Sequence, residues 1–235
     1  MKTKVVAIVP AAGLGKRFSA SEKKTFVKLS GTPLVIYTLK KLHKSASVTE
    51  IIPVLRQEDL ATGLELIKAH NLNKIKRIVP GGLERQDSVY NALCLIKNEI
   101  IISQQNTKDN KKNPSSPPFC KGGKGGFLDD DLILIHDGAR PFIPDEMIEN
   151  LLQEIKGVDG VVPGMPVKET LKEVDIKKRI VLSTVKREKL WTIQTPQIFP
   201  FKVIKKAYDK AYADGFYATD DAALVERIGG KIKII

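Results

Sequence analysis

Two fixed positive charges, Arg17 and Lys24, follow a turn of small residues, Ala11-Ala12-Gly13-Leu14-Gly15, and far along the chain a carboxylate, Asp137, closes an apolar run. Glycines expose backbone N–H groups, and such groups beside fixed cations hold polyphosphate. A lone carboxylate next to phosphate oxygens is how Mg²⁺ is commonly bound. Together these residue types point to metal-assisted phosphate chemistry. The turn is neither of the two commonest phosphate loops. A dinucleotide fingerprint needs a third small residue where this chain has Phe18. A P-loop needs four residues between its glycines and then Lys-Ser/Thr, which this turn lacks.

The elements that position these residues follow from hydrophobic period and breakers. Residues 5–9 are a continuous apolar run and read as a buried strand leading into the turn. Pro33 opens a helix through His43, with Leu34, Tyr37, Leu39 and Leu42 apolar. Strands are expected at 50–55 and 76–80, and helices at 58–70 and 84–96. Such alternation predicts an α/β protein with a mostly parallel sheet and helices on both faces. Ligands of such sheets bind beyond the carboxyl ends of the strands, where the first loop sits.

The regularity stops near Ile100. Residues 104–126 are dense in Pro and Gly, have no structural period, and read as a disordered insertion. Order resumes with a strand at 132–135, which ends on His136-Asp137-Gly138-Ala139-Arg140-Pro141. A helix at 145–155 and a strand region at 158–167 follow. Residues 168–186 alternate charged and β-branched side chains like an extended hairpin arm. The stretch 191–199 contains Gln194-Thr195-Pro196-Gln197 and reads as a loop. Helices are expected at 201–213 and 222–228, the second opened by the N-cap pattern Thr219-Asp220-Asp221-Ala222 and stopped by Gly229-Gly230. A last strand begins at Lys231.

The chain of 235 residues is 42% hydrophobic and 28% charged, as expected of a globular protein, and no apolar run is long enough to span a membrane. Two cysteines, Cys94 and Cys120, have no metal or disulfide spacing, which suits reduced thiols in a cytoplasm. The net charge of +12 raises nucleic-acid binding as a reading, but the lysines are scattered and aromatics make up only 6% of the chain. The charge is better read as a solvated surface with one anionic small-molecule site, without nucleic acid or membrane partners.

Other residues are ambiguous in isolation. His136 has no neighbouring ligand residues and reads as structural. Gly81-Gly82 permits close approach of a base or ribose, to which Ser88 at a helix start is able to hydrogen-bond. Thr170 and Arg187 are otherwise ordinary residues of the arm. No Ser-His-Asp or Cys-His arrangement calls for nucleophilic catalysis.

In combination these segments resemble the 2-C-methyl-D-erythritol 4-phosphate cytidylyltransferases of the non-mevalonate isoprenoid pathway. The resemblance rests on 10–17, on Gly81-Gly82 with Arg85 and Ser88-Val89, on 136–141, on Thr195-Pro196-Gln197-Ile198-Phe199 and on Thr219-Asp220-Asp221-Ala222. It implies a Rossmann-like nucleotidyltransferase fold and a homodimer joined through the arm at 165–187. It also implies CTP and methylerythritol 4-phosphate as substrates and Mg²⁺ as cofactor. By position, Arg17 and Lys24 resemble the pair that stabilises the transferring α-phosphate, and Asp137 resembles the metal ligand. Ala11, Ala12, Gly13, Gly15, Gly82, Ser88 and Arg140 resemble the CTP pocket. Arg187, with Thr170, Thr195 and Thr219, resembles the acceptor site, Thr170 and Arg187 reaching across the dimer.

The chain departs from the family pattern at three places. The segment around Lys24 reads Lys23-Lys24-Thr25-Phe26 rather than Pro-Lys-Gln-Tyr. The 104–126 insertion has no counterpart. The sequence stops at Ile235, ahead of the family's closing segment with its second metal-binding Asp and substrate-positioning Lys. This implies binding of CTP with slow transfer. Two further readings stay open: a ribitol 5-phosphate cytidylyltransferase, and a nucleotide-binding pseudoenzyme.

Overall fold

The first strand, β1 (Val5–Pro10), is buried at all six positions, the environment a central parallel strand requires. The protein is described by a computed structural model over residues 3–13, 26–105 and 130–235, with 98–105 as backbone only. Gly15, Arg17, Lys24 and residues 106–126 of the expected insertion lie outside the described residues.

A short ribbon, β2 (Lys28–Leu29) and β3 (Thr32–Pro33), leads into α1 (Leu34–Lys44), with Pro33 as its N-cap residue. Val35, Ile36, Leu39 and Leu42 form its buried stripe, and Lys41, His43 and Lys44 suit the negative end of its dipole. β4 (Glu50–Leu55) pairs in parallel with β1, and a 3₁₀ turn with α2 (Leu60–Ala69) follows. β5 (Val79–Pro80) is shorter than the expected 76–80 strand and pairs with β4 only at Val54 and Leu55. α3 (Arg85–Gln105) instead runs beyond the expected 84–96, because no Pro or Gly interrupts it before Gln105.

β6 (Leu132–Ile135) pairs in parallel with the other side of β1. After α4 (Met147–Glu154) the expected strand at 158–167 divides in two. β7 (Gly160–Val162) stays in the main sheet, whereas β8 (Gly164–Pro166) leaves it. The arm forms as expected, with β9 (Leu171–Asp175) and β10 (Ile180–Val185) antiparallel. The stretch expected to be a loop carries two strands, β11 (Trp191–Ile193) against β8 and β12 (Gln197–Pro200) in the main sheet, leaving only residues 194–196 as turn. α5 (Phe201–Ala213), α6 (Asp221–Arg227) and β13 (Ile232–Ile234) complete the order, β13 pairing in parallel with β7.

The seven-stranded sheet has the order β13-β7-β12-β6-β1-β4-β5, mostly parallel, with β12 the antiparallel member. Alternation along the strands sends Val6, Ile8, Ile133 and Ile135 to one face, against α3, α5 and α6. Ala7, Val9, Leu132 and Leu134 face the other side, against α1 and α4. The chain winds outward from β1 through β4 to β5, then returns to β6 on the opposite side. The switch point between β1 and β6 is where such sheets bind ligands. Because β12 runs against β6, its Gln194-Thr195-Pro196 approach ends at the same edge. Among the described residues, no helix is long and apolar enough to cross a membrane.

Candidate active site

The strand ends are tied together by backbone hydrogen bonds. Ala11 N–H donates to Val54 O (2.8 Å), Gly81 N–H to Leu55 O (2.7 Å), and Gly138 N–H to Pro10 O (3.0 Å). Two of these glycines are required by space. A Cβ on Gly81 would lie 2.3 Å from the Ala12 Cβ, and one on Gly138 would lie 2.8 Å from that of Ala11. Arg56 Nε donates to Ala12 O (3.0 Å) and pins the same turn from β4. Ala11 and Ala12 are therefore buried, while Gly13 has open space around it. Ser88 is turned inward: its hydroxyl accepts from Gly82 N–H and donates to Glu84 O, each at 3.2 Å. It thereby fixes the Gly81–Glu84 turn, and Gly82 itself is exposed.

Asp137 leaves β6 into a cluster of charge. Arg85 Nε lies 3.0 Å from its Oδ1, and Arg140 Nε lies 3.0 Å from its Oδ2. Burial works to raise the pKa of Asp137, but the Arg85 charge and hydrogen bond, with Arg140, outweigh it and hold the carboxyl below the usual range. Arg85 also reaches Asp221 Oδ2 at 2.8 Å, and that side chain is fully buried. The two carboxylates overcome the burial of Arg85 and raise its pKa further. Tyr208 OH donates to the other oxygen of Asp221.

His136 has the structural role expected of it. Its Nε2 lies 2.8 Å from the Arg140 carbonyl, which only accepts, so Nε2 carries the proton. Nδ1 then accepts from Thr195 Oγ1 at 2.9 Å. Burial lowers its pKa, keeping the ring neutral. Asp137 N–H meets the Thr195 hydroxyl at 3.5 Å, so His136 and Thr195 together fix the exit of β6. Across the edge, Gln197 donates to Asp220 Oδ2 (2.9 Å) and accepts from Ala222 N–H (3.1 Å), while Asp220 caps α6 through Ala223 N–H.

These groups surround a cavity of about 560 Å³, within the range of small-molecule sites. Asp137, Arg140, Thr195 and Thr219 line it, and Val162, Ile193, Ile232 and Ile234 form its apolar end. Of the sequence candidates, the described structure gathers these four polar residues in one cavity. Ala11, Ala12, Gly13, Gly82 and Ser88 lie at the neighbouring strand ends. Thr170 and Arg187 are exposed at the root of the arm, away from that cavity, where Arg187 donates to Lys168 O.

Arg85, Asp221, Gln197 and Arg56 were not among the sequence candidates. Arg85 did carry a signal: a cation in the first turn of a helix opposes the dipole and needs a carboxylate partner. The cluster fits Mg²⁺ only in its sparse mode. No group of three His, Cys, Asp or Glu side chains is assembled among the described residues. Asp137 has lone pairs beyond the two its arginines occupy, so it fits as one ligand alongside substrate phosphate oxygens.

A Rossmann-like sheet with a small-residue turn, an ionised Asp and an arginine pair at its switch point defines a nucleotidyltransferase. The 2-C-methyl-D-erythritol 4-phosphate cytidylyltransferase family model matches residues 5–103 and 127–235. A protein of that description from Dictyoglomus thermophilum is 40% identical over 233 residues, covering 99% of this chain and 87% of the relative. Its counterpart from Desulforamulus reducens is 36% identical over 232 residues, covering 98% and 86%. The crystal structure of 4-diphosphocytidyl-2C-methyl-D-erythritol synthase from Anaerococcus prevotii superposes with a TM-score of 0.72 at 26% identity, covering 99% of this chain and 86% of that one. The chain belongs to the 2-C-methyl-D-erythritol 4-phosphate cytidylyltransferase family and is a CTP-dependent enzyme.

Proposed function

We propose that this chain transfers CMP from CTP to 2-C-methyl-D-erythritol 4-phosphate through the cluster around Asp137. The observation that carries this reading is the Asp137 carboxylate at the switch point, paired with Arg85 and Arg140 at 3.0 Å each and lining one cavity with Arg140, Thr195 and Thr219. An acceptor phosphate oxygen attacks the α-phosphorus in line. The new P–O bond forms as the bond to the β-phosphate oxygen breaks, and pyrophosphate leaves. Such chemistry is mostly positioning and charge stabilisation.

The small-residue turn, Gly82 and Ser88 form the nucleotide side, and Arg140 approaches the phosphates. Arg17 and Lys24 stabilise charge on the transferring α-phosphate. Thr195 and Thr219 orient the acceptor, joined by Thr170 and Arg187 from the partner's arm in a homodimer. Asp137 would hold Mg²⁺, which when bound neutralises charge on the triphosphate. The protein works in the cytoplasm.

The test is pyrophosphate release with CTP and Mg²⁺, using methylerythritol 4-phosphate and ribitol 5-phosphate in parallel. Turnover is expected with the first acceptor, and faster turnover with ribitol 5-phosphate would reassign the acceptor. Lys24→Ala is expected to lower turnover about 10²- to 10³-fold, the loss typical of one transition-state donor. Near-full turnover in that variant would remove Lys24 from the mechanism.

A further inference from the structure

Gln86 is buried, with 6% of its surface exposed, yet it belongs to the first turn of a helix that follows the nucleotide-side loop. Its Nε2 donates to Phe216 O at 3.0 Å, and its Oε1 accepts from Ala218 N–H at 2.9 Å. Both partners lie on the strap between α5 and α6, immediately before Thr219. The residues on either side of Gln86 grip the same strap. Arg85 holds Asp221 at its far end, and Asp87 Oδ1 accepts from Tyr217 OH at 3.0 Å and from Tyr212 OH. Successive residues point about 100° apart around a helix, so three in a row reach one segment only where it wraps the helix end.

The same turn also holds the nucleotide-side loop. Asp87 Oδ2 accepts from Glu84 N–H at 2.9 Å, and a Cβ on Gly82 would lie 2.2 Å from the Asp87 Cβ. One helical turn is thus bonded to the loop at 81–84 and to the strap that presents Thr219.

We infer that Gln86 is a positioning residue for the acceptor, holding the strap at 216–219 to the helix that carries the nucleotide loop. The inference rests on the assignment of Thr219 to the acceptor side. An ordered nucleotide loop then favours the strap position that receives the acceptor, and by linkage the acceptor favours the nucleotide-bound loop. Because Gln86 touches only main-chain groups of the strap, it acts on placement and not on the reacting atoms.

The test uses the full chain with Mg²⁺ and a non-hydrolysable CTP analogue. Calorimetry gives the analogue affinity, then the affinity for methylerythritol 4-phosphate with and without the analogue. Gln86→Met keeps the length and removes both hydrogen bonds. It is expected to leave analogue affinity within about twofold and to weaken acceptor binding to the analogue complex about tenfold. Gln86→Glu still accepts from Ala218 N–H but turns a carboxylate oxygen toward Phe216 O in a buried site, and is expected to weaken acceptor binding at least as much as Gln86→Met. Acceptor affinity unchanged in both variants would overturn the inference and leave the proposed activity standing. Equal losses of analogue and acceptor affinity would also overturn it, as the mark of a merely structural residue. Should Gln86→Met not fold, the split between the two ligands in Gln86→Glu decides the matter. A wild-type chain that binds neither ligand would instead sink the proposed function.

Discussion

Arg85 and Asp221 are 136 residues apart in sequence and 2.8 Å apart in space, joining the head of α3 to the head of α6. Asp221 has no exposed side-chain surface, whereas Arg85 keeps about a third of its own and also serves Asp137. The pair therefore neutralises a buried carboxylate while Arg85 also orients Asp137.

Arg85→Ala leaves Asp221 with Tyr208 as its remaining side-chain donor. A stability loss of about 3 kcal/mol is expected, at the low end for a broken buried pair because the tyrosine still donates. Adding Asp221→Asn should recover much of that loss by removing the stranded charge. Urea denaturation of the single and double variants measures both steps. A single variant as stable as wild type would show that water already screens the pair.

Asp137→Asn tests the metal assignment. Turnover is expected to fall at least about 100-fold, with half-saturating Mg²⁺ shifted upward. Chelation of the metal should abolish turnover in wild type. An unchanged Mg²⁺ requirement in the variant would place the ion elsewhere.

Gly81→Ala puts a methyl 2.3 Å from the Ala12 Cβ and 3.0 Å from Ser88 Oγ. The turn has to move, at a cost of about 1–3 kcal/mol for overpacking, and CTP binding should weaken with it. Thermal melts with and without CTP report the two effects. Wild-type affinity in a stable variant would show that the Ala12 turn does not contact the nucleotide.

Asp87 sets a pH dependence. Burial raises its pKa, but hydrogen bonds from Tyr212, Glu84 N–H, Tyr217 and Leu83 N–H together bring it below the usual value. A depressed carboxylate contributes stability that is fully present above the unfolded pKa of about 3.9 and is lost as pH falls through the folded value. Wild type should therefore lose stability more steeply than Asp87→Asn as pH falls below about 4. Parallel curves from denaturation between pH 6 and pH 3 would exclude Asp87 as a source.

The arm leaves Ile180, Val181 and Leu182 between 54% and 62% exposed, on a two-stranded ribbon that is marginal alone. Leu182→Asp should halve the mass seen by light scattering at micromolar concentration if this apolar strip joins two copies. Dimers that persist would put the interface on another surface.

The sequence was enough to place most of the alternating strands and helices. A fully apolar 5–9 run, a proline at the head of α1 and the Asp220 cap are local signals, and each produced the expected element. Asp137 was legible from its place just after an apolar strand, whereas Arg140, Thr195 and Thr219 were reached only through the resemblance to the family. Residues 191–193 and 197–200 were read as loop because strand pairing is non-local: β12 exists through its partners on β6 and β7. The partners of Arg85, Gln86 and Gln197 stayed hidden for the same reason. These partners lie 23 to 136 residues away, and no local period encodes which polar group a folded chain brings opposite them. Only the tertiary structure decided that one helical turn holds both the loop at 81–84 and the strap before Thr219, since burying those polar groups required each to find a partner.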